Sequence, residues 1–414
     1  MVMPMDPANA EGLRRGLVEH LRAHGVRSAP VAEAFARVPR EAFVPDVAAR
    51  DGLEAVYRDE AIAAKVDGFG RWLSSSSQPL IMAVMLEQLD LRPGQRVLEV
   101  GAGTGYNSAL LRDLVGADGE VTSIEIDPEL ARRAAGALTG AGYRARVVTG
   151  DGRAGYAEAA PFDRIIVTAS AASIPNAWLD QLRPGGRVVV PLRFDSGALP
   201  QAIAAYELDG DTLRSVEMTW GGFMPLHGGD GGNDGPPRDA VNASVSMNGR
   251  HELFAQASGP GLARLSLRAR RRLLASLLAG PAVRDRAGAV TVRWPAPPDL
   301  LVFLALGLPS DRLLVIDEAG SRGVGVADRD GGAATFAVFP VDSLGRGEQP
   351  SETMLRPQRR RWRLERYGRA DASPELAELV KDWQRMVRAN RSRLQITARR
   401  SNDPDAKLSY EWIA

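Results

Sequence analysis

The 414-residue chain contains no cysteine. This absence excludes disulfide bridges, thiolate zinc sites and a cysteine nucleophile. Histidine is scarce, with four residues in the chain, of which His20 and His24 stand four apart on a predicted helix. Because no acidic or cysteine cluster accompanies that pair, the sequence predicts no metal centre.

Long apolar runs are also missing. The longest candidate, residues 300–308, is half of the ~18 residues that a membrane helix needs. The N-terminal residues do not combine a basic region with a following apolar one, so the sequence predicts no secretion signal. We expect a soluble, cytoplasmic protein without membrane contact. With 44% hydrophobic residues in 414, the chain can bury the cores of two domains.

Residues 97–107 have the sequence Val-Leu-Glu-Val-Gly-Ala-Gly-Thr-Gly-Tyr-Asn. An aliphatic segment, closely spaced glycines and a helical stretch predict a parallel strand, a turn that a ligand can approach, and a helix N-terminus. Dinucleotides use similar turns, but with G-x-G-x-x-G spacing. Glu99 also precedes the first glycine by two positions, where we expect it to face a cationic amino-acid group. Both details favour S-adenosylmethionine over NAD.

Further strand-like segments end in acidic residues. Glu125 ends the second strand and is expected to accept hydrogen bonds from ribose hydroxyls. Asp151 ends the third and is expected to accept from the adenine amino group. The segments lie at 121–127, 147–152, 162–169 and 182–190. Each alone is typical of a buried strand with a solvated end, whereas their joint order predicts a cofactor site. The predicted cofactor-binding residues are Glu99, Gly101, Ala102, Gly103, Thr104, Gly105, Tyr106, Asn107, Glu125, Asp151 and Gly152.

Several segments around the glycine-rich run carry a family resemblance. They lie at 38–45 (Val-Pro-Arg-Glu-Ala-Phe-Val-Pro), 73–79, 96–101, 161–170, 174–175, 182–186 and 223–226. Together they resemble the protein-L-isoaspartate O-methyltransferase family over about residues 10–226. The resemblance implies a doubly wound, Rossmann-like α/β fold, S-adenosylmethionine as methyl donor, and a methyl ester as product.

The resemblance also implies a role for Ser77. In the family, a serine followed by any residue and a proline carries the active-site hydroxyl, which matches Ser77-Gln78-Pro79 here. Such a hydroxyl would orient the acceptor carboxylate. A serine before a proline-started helix is also a favoured N-cap, and the two roles can coexist. The family usually has Gly-Gln-Thr-Ile-Ser where this chain has Leu73-Ser-Ser-Ser-Ser77, so the segment that covers the substrate is altered.

Composition divides the chain into halves. Residues 1–240 carry a net charge of −8, and residues 241–414 carry +9. We expect a catalytic domain at 1–227, a Gly/Pro-rich linker at 228–240, and a basic, mixed α/β domain at 241–414. In that domain, helical patterns lie at 262–278 and 374–389, and strand-like patterns at 289–294, 300–306, 312–316, 332–339 and 393–398.

Three arginine clusters lie in the basic half. They are Arg268–Arg272, Arg356–Arg363, and Arg391 with Arg393, Arg399 and Arg400. They are compatible with a solvated or docking face, with a site for an acidic peptide, or, through Trp362 and Tyr367, with nucleic-acid stacking.

Three functions are considered, and the sequence favours the dedicated modifier described below, because general repair leaves the added C-terminal region unexplained. General repair would methylate isoaspartyl residues in damaged proteins. A dedicated modifier would methylate aspartate in a ribosomally made, acidic precursor peptide, because family members with added C-terminal regions resemble this chain. That resemblance implies a methyl ester that closes to aspartimide and opens to isoaspartate. Nucleic-acid methylation is disfavoured, because residues 167–170 are Val-Thr-Ala-Ser rather than Asp/Asn-Pro-Pro-aromatic.

Overall fold

The structure is a computed structural model. It describes residues 7–226 except 69, 71 and 195–200, the helices and strands named below between 241 and 389, and residues 393–413. The chain divides into two compact units. Unit 1 comprises Met1–Leu192, Gln201–Asp234 and Ile396–Ser409; unit 2 comprises Arg193–Pro200, Gly235–Gln395 and Tyr410–Ala414. The predicted linker at 228–240 lies outside the described residues.

Unit 1 begins with helices and continues as alternating strands and helices. Its helices are α1 (Pro7–Ala23), α2 (Ala29–Arg37), α3 (Pro45–Asp51), α4 (Leu53–Val56), α5 (Pro79–Leu89), α6 (Tyr106–Val115), α7 (Pro128–Gly140) and α8 (Asn176–Asp180). Its strands are β1 (Ile62–Val66), β2 (Trp72–Ser76), β3 (Arg96–Val100), β4 (Glu120–Glu125), β5 (Arg146–Thr149), β6 (Phe162–Val167), β7 (Leu182–Leu192), β8 (Gln201–Asp209) and β9 (Thr212–Gly221).

The main sheet is doubly wound. Two further strands, β17 (Arg393–Arg399) and β18 (Lys407–Ile413), complete the strand order β18-β17-β9-β8-β7-β6-β3-β4-β5. Strands β3 to β7 are parallel, and β8, β9 and β17 join antiparallel. The chain runs from β3 outward through β4 and β5, then returns to β6 on the other side of β3. The strand order therefore reverses at the carboxyl end of β3, where doubly wound sheets bind ligands.

The predicted α/β fold and the five predicted strands of the cofactor domain are confirmed. The aliphatic segment before the glycines forms β3, and the following stretch forms α6. Four of the five residues of β3 are buried, as is typical of a parallel strand covered on both faces. Helices α1, α2, α5 and α6 contribute to one apolar core beside this sheet. Val97 of β3 belongs to this core, which therefore packs directly against the strand that precedes the glycine-rich turn.

A segment near the C-terminus belongs to unit 1. Strand β17 pairs with β9 through Thr397–Arg214, Ala398–Leu213 and Arg399–Thr212. The Ser215 hydroxyl oxygen also accepts from the Ile396 amide at 2.8 Å. The sequence predicts a strand at 393–398 but assigns it to the basic half, whereas the structure adds its second part to the catalytic sheet.

Unit 2 contains a second, antiparallel sheet. Its strands are β10 (Val241–Met247), β11 (His251–Ala257), β12 (Val283–Val292), β13 (Leu313–Glu318), β14 (Ser321–Ala327), β15 (Ala333–Pro340) and β16 (Gln358–Gly368), in the order β10-β11-β13-β14-β15-β16-β12. Its described helices are α9 (Ala296–Gly307) and α10 (Pro374–Arg388). The predicted helix at 262–278 lies outside the described residues.

One predicted strand of this unit is wrong. Residues 300–306 were expected to extend as a strand, but they lie in α9. A short, continuously apolar run fits a buried strand and a buried helix equally. Leu300, Leu301 and Leu304 are all buried, together with Leu376 and Trp383 of α10. Because these side chains are buried, the sequence of α9 lacks the polar positions whose spacing would distinguish a helix from a strand.

None of the described helices is long and apolar enough to cross a lipid bilayer. Within the described part of the chain, no three His, Asp or Glu side chains gather as metal ligands would.

Candidate active site

A cavity of about 750 Å³ lies at the carboxyl ends of β3 and β4. Its walls combine backbone of the glycine-rich turn with hydroxyl, aliphatic and aromatic side chains from four other parts of unit 1. They come from the β2–α5 junction (Trp72–Gln78), from α5 (Ile81, Met82, Met85), from the end of β6 (Ile166, Thr168, Ala169), and from residues 220–226. The volume is that of a pocket for a small molecule or cofactor.

The glycine-rich turn brings backbone to the cavity. Gly101 has a φ of 100°, and a Cβ there would lie 2.6 Å from Thr168 Oγ1. Gly103 has a φ of 53°, and a Cβ there would lie 3.3 Å from the Ser75 carbonyl oxygen. The positive φ angles favour glycine at both positions, and at each one an added Cβ would force its neighbour to shift. The predicted cofactor-binding residues that line the cavity are Gly101, Ala102, Gly103, Thr104, Tyr106, Asn107, Glu125 and Gly152.

Gly105 has a different position. It precedes α6, and a Cβ there would lie 3.2 Å from the Ala134 carbonyl oxygen of α7. It is not among the residues that line the cavity. Its described role is close packing between helices, which differs from the ligand contact predicted for it.

Glu125 lies in the cavity wall, as the sequence predicts. It ends β4 and is 7% exposed. Its Oε2 accepts from the Gly103 amide at 2.8 Å, and its Oε1 accepts from the Asp127 amide at 3.1 Å. Each carboxylate oxygen can accept a second hydrogen bond, so the residue remains able to receive hydroxyl donors from a ligand.

Glu99 does not face the cavity. It is fully buried and absent from the cavity wall. Asn107 Nδ2 donates to its Oε1 at 2.8 Å, and the hydroxyls of Ser108 and Ser123 donate to its Oε2. Burial raises the pKa of Glu99 to about 7, against the effect of these hydrogen bonds. The expectation that Glu99 contacts the ligand directly is therefore corrected. Its carboxylate instead accepts hydrogen bonds from the side chains of the first turn of α6.

The Asp151 carboxylate binds Arg153. It forms a bidentate pair, with Nη2 to Oδ2 at 2.9 Å, and accepts from the Arg153 amide at 3.0 Å. It does not line the cavity, whereas the neighbouring Gly152 does. Trp178 Nε1 donates to the Gly152 carbonyl oxygen at 2.9 Å. The predicted contact of Asp151 with adenine is thus not preformed in this structure.

Ser77 lies in the cavity wall, half-buried, between β2 and α5. Among the residues that the structure describes, none hydrogen-bonds its hydroxyl, and its carbonyl oxygen accepts from Arg40 Nη2 at 3.1 Å. The alternative interpretation of Ser77 as the helix cap is not how this helix begins. The capping residue is Gln78, without a side-chain bond, and Asp59 Oδ1 accepts from the Leu80 amide at 2.8 Å.

Some residues at the site had no predicted role. The Thr168 hydroxyl donates to the Gly101 carbonyl oxygen at 2.6 Å and lines the cavity. Arg40 and Asp59 hold the backbone around Ser77. Arg40 stands inside the Val-Pro-Arg-Glu-Ala-Phe-Val-Pro segment, which signalled the family without indicating a contact 37 residues away.

The cavity fits a cofactor of the predicted kind. Gly101 and Gly103 expose backbone without side chains in the cavity wall, and the helix N-terminus beyond them offers backbone donors. Glu125 supplies a carboxylate within the same wall. Residues of the glycine-rich turn and Glu125 would therefore hold S-adenosylmethionine.

Comparison with known proteins agrees with this geometry. The family model for protein-L-isoaspartate(D-aspartate) O-methyltransferase matches residues 13–229, just over half of the chain. The chain belongs to this family. A protein-L-isoaspartate O-methyltransferase of Methanopyrus kandleri is 44% identical over 182 residues, which are 43% of this chain and 76% of the relative. A second, from Archaeoglobus fulgidus, is 40% identical over 223 residues, 52% of this chain and 93% of the relative.

A solved structure of a protein-L-isoaspartate O-methyltransferase is also similar. It superposes with a TM-score of 0.52 at 25% identity, over 96% of this chain and 99% of that one. The family uses S-adenosylmethionine as methyl donor, and the chain is an S-adenosylmethionine-dependent O-methyltransferase of the protein-L-isoaspartate type.

Proposed function

We propose that this chain methylates the free carboxylate of L-isoaspartyl residues in peptides or proteins, with Ser77 orienting that carboxylate. In an isoaspartyl residue the main chain passes through the side-chain carboxyl group, which leaves the other carboxylate free. The observation that carries the proposal is Ser77 in the wall of the cofactor cavity, at the position where the family has its active-site hydroxyl.

The reaction asks little acid–base chemistry of the protein. A carboxylate has an unperturbed pKa near ~4 and is already an anion at neutral pH, so no general base is needed. When bound, S-adenosylmethionine supplies an activated methyl group and its own leaving group. The chain must hold the acceptor in line and strip water from the attacking oxygen. The Ser77 hydroxyl can donate one hydrogen bond to the acceptor, and Ile81, Met82 and Met85 make the neighbouring wall apolar.

The proposal is tested with matched peptides. The full chain is incubated with S-adenosylmethionine and two peptides of one sequence, which differ only in isoaspartate or aspartate at a single position. We expect mass spectrometry to detect a methyl ester on the isoaspartyl peptide alone. Equal methylation of the two peptides would contradict isoaspartate selectivity, and methylation of neither would contradict the proposed acceptor.

Ser77→Ala then tests the role of the hydroxyl. Loss of one positioned hydrogen bond in the transition state should lower kcat by about 10- to 1000-fold. Affinity for S-adenosylmethionine should stay near wild type, because the hydroxyl is assigned to the acceptor. Thr139→Ala, which removes a hydroxyl from an exposed position of α7 outside the cavity wall, is the control. Unchanged turnover in Ser77→Ala would remove the residue from the mechanism.

A narrower function has one observation in its favour. The chain extends far beyond the family match, which ends at residue 229, and residues 241–414 carry a net charge of +9. We infer that this basic region presents an acidic precursor peptide to the same site, so that one aspartate becomes a methyl ester. The following backbone nitrogen would attack the ester carbonyl, and methanol would leave as the aspartimide ring closes; hydrolysis of the ring would give isoaspartate.

The two functions predict different substrates. A dedicated modifier should esterify aspartate in an acidic peptide and show ring closure by mass spectrometry, while it ignores a neutral peptide with the same aspartate. A repair enzyme should act on isoaspartate in either peptide. The similar solved structure is a protein-L-isoaspartate O-methyltransferase that aligns over nearly all of both chains, which supports isoaspartate rather than aspartate as the acceptor.

A further inference from the structure

Arg40 is a charged residue in the core of unit 1. Its side chain is fully buried. The guanidinium donates four hydrogen bonds, all to backbone carbonyl oxygens: Nη1 to Val56 at 2.9 Å and Arg58 at 3.1 Å, and Nη2 to Glu60 at 3.0 Å and Ser77 at 3.1 Å. One side chain thus joins the loop before β1 to the junction that carries Ser77.

If Arg40 served only to stabilise the fold, a buried guanidinium would be an unfavourable choice. A buried charge pays a large desolvation penalty. No described carboxylate lies within ion-pair distance of Arg40, although the Asp59 carboxylate attracts it from farther away. Burial accordingly lowers the pKa of Arg40. Besides the carbonyls, the Asp59 carboxylate and the ring of Tyr106, whose centroid lies 5.8 Å from Arg40 Cζ, offset part of this penalty. The geometry that Arg40 imposes on its carbonyl partners is therefore its distinctive contribution.

Asp59 holds the other side of Ser77. Its Oδ1 accepts from the Leu80 amide at 2.8 Å, and its Oδ2 accepts from Gln78 Nε2 at 2.9 Å. His20 Nε2 lies 3.3 Å from the same Oδ2 and steadies the carboxylate. The residues on both sides of the Ser77–Gln78 peptide bond are thus fixed from outside the segment.

We propose that Arg40 and Asp59 are positioning residues that fix the Ser77–Gln78 peptide and thereby aim the Ser77 hydroxyl at the acceptor carboxylate. The inference rests on the proposed function of Ser77. A carbonyl held by Arg40 fixes the peptide plane after Ser77, and a following helix start held by Asp59 fixes its direction. Reacting groups lose much of their rate when such supports leave them loosely placed.

The experiment combines single and double variants of the full chain, assayed on the isoaspartyl peptide. Arg40→Lys keeps the charge but loses the planar fork that reaches four carbonyls. Asp59→Ala removes both acceptors. We expect each to lower kcat about 10-fold or more, with KM for the peptide and Kd for S-adenosylmethionine within about 2-fold of wild type. In the Ser77→Ala background, each should change kcat by less than about 2-fold, because the hydroxyl that they aim is absent.

Two controls separate positioning from general stability. Arg164→Lys alters an arginine that donates to the Leu89 and Asp90 carbonyl oxygens at the far end of α5, and it should leave kcat unchanged. Asp59→Asn retains an acceptor for the Leu80 amide and should restore most of the turnover lost in Asp59→Ala.

The possible results are distinguishable. A loss of kcat that is fully additive with Ser77→Ala, or one equalled by Arg164→Lys, would overturn the inference, as would unchanged kcat in both single variants. If Arg40→Lys fails to fold, the Asp59 series decides by the same criteria. A wild-type chain that does not methylate the isoaspartyl peptide would instead contradict the proposed function itself.

Discussion

Glu125 connects two parts of the cofactor cavity through one carboxylate. It accepts from the Gly103 amide of the glycine-rich turn and from the Asp127 amide before α7. Both bonds shape the backbone on which a ligand would lie, while the carboxylate itself forms part of the wall. Glu125 therefore both lines the cavity and fixes the backbone beside it.

Glu125→Ala should weaken S-adenosylmethionine binding at least tenfold in isothermal titration calorimetry. Hydrogen bonds to a charged group are worth roughly 1.5–3 kcal/mol each, and a tenfold change needs only about 1.4 kcal/mol. Glu120→Ala, at the exposed start of the same strand, should bind normally. Normal affinity in Glu125→Ala would withdraw the ribose assignment.

Glu99 should make folding stability depend on pH. Its pKa is raised by burial from 4.5 to about 7, so between these values the folded state binds a proton that the unfolded state has lost. Stability therefore falls as pH rises through this window. Relative to Glu99→Gln, the wild type should lose up to roughly 3 kcal/mol of unfolding free energy between pH 4.5 and 7.

Urea denaturation at a series of pH values measures this difference. Glu120→Gln serves as the control, because its carboxylate is exposed, and its difference from wild type should stay flat. A constant difference between wild type and Glu99→Gln across the window would show that the pKa of Glu99 is the same in the folded and unfolded states.

At the scale of elements, local patterns predicted the catalytic sheet well and side-chain direction poorly. Strand β3 and helix α6 lie where the glycine-rich run predicted them, because strand, turn and helix each have a local signal. Glu99 and Asp151 lie on or just after the predicted strands but are absent from the cavity wall. For Glu99 the reason is that β3 is buried on both faces, so the sequence carries no alternation that tells one side of the strand from the other.

Local sequence patterns did not predict contacts between segments that are far apart in the chain. Nothing near Ser77 indicates that Arg40 and Asp59 hold it, since each partner lies about 20 or more residues away. The return of residues 396–409 to unit 1 is of the same kind. Asn176 at the start of α8 holds this return, with Nδ2 donating to the Ser401 and Asp403 carbonyl oxygens at 3.0 and 2.6 Å.

Asn176→Ala should release that segment. Losing these hydrogen bonds should lower the free energy of unfolding by about 1–3 kcal/mol and speed tryptic cleavage at Arg399 and Arg400. Limited proteolysis followed by mass spectrometry maps the cleavage. Gln181→Ala removes a similar side-chain amide, bonded to Ala154 and Tyr156, and should not affect cleavage there. Equal cleavage in both variants would contradict the role of Asn176.

At the scale of the whole molecule, charge separates the two halves of the sequence. The net charge is −8 for residues 1–240 and +9 for residues 241–414. Part of the positive charge is used within unit 1, where Arg399 pairs with Asp211 at 3.2 Å and Arg400 pairs with Asp180. Those two arginines agree with the interpretation of a docking face. The clusters at 268–272 and 356–363 remain candidates for recognition of an acidic substrate.

Neutralising Arg359, Arg360 and Arg361 to glutamine tests that recognition. All three lie on β16. If they attract an acidic isoaspartyl peptide, KM should rise several-fold at low ionic strength, and its salt dependence should flatten, because exposed charges are screened over ~8 Å at physiological salt. A neutral isoaspartyl peptide should keep its KM, and kcat should stay unchanged for both peptides.

The control is a triple variant of unit 1 with the same change in net charge, at the exposed residues Arg15, Arg92 and Arg133. An equal rise in KM in that control would reduce the effect to overall charge. Lower thermal stability in the β16 variant, with KM for the acidic peptide unchanged, would instead assign these arginines to the fold.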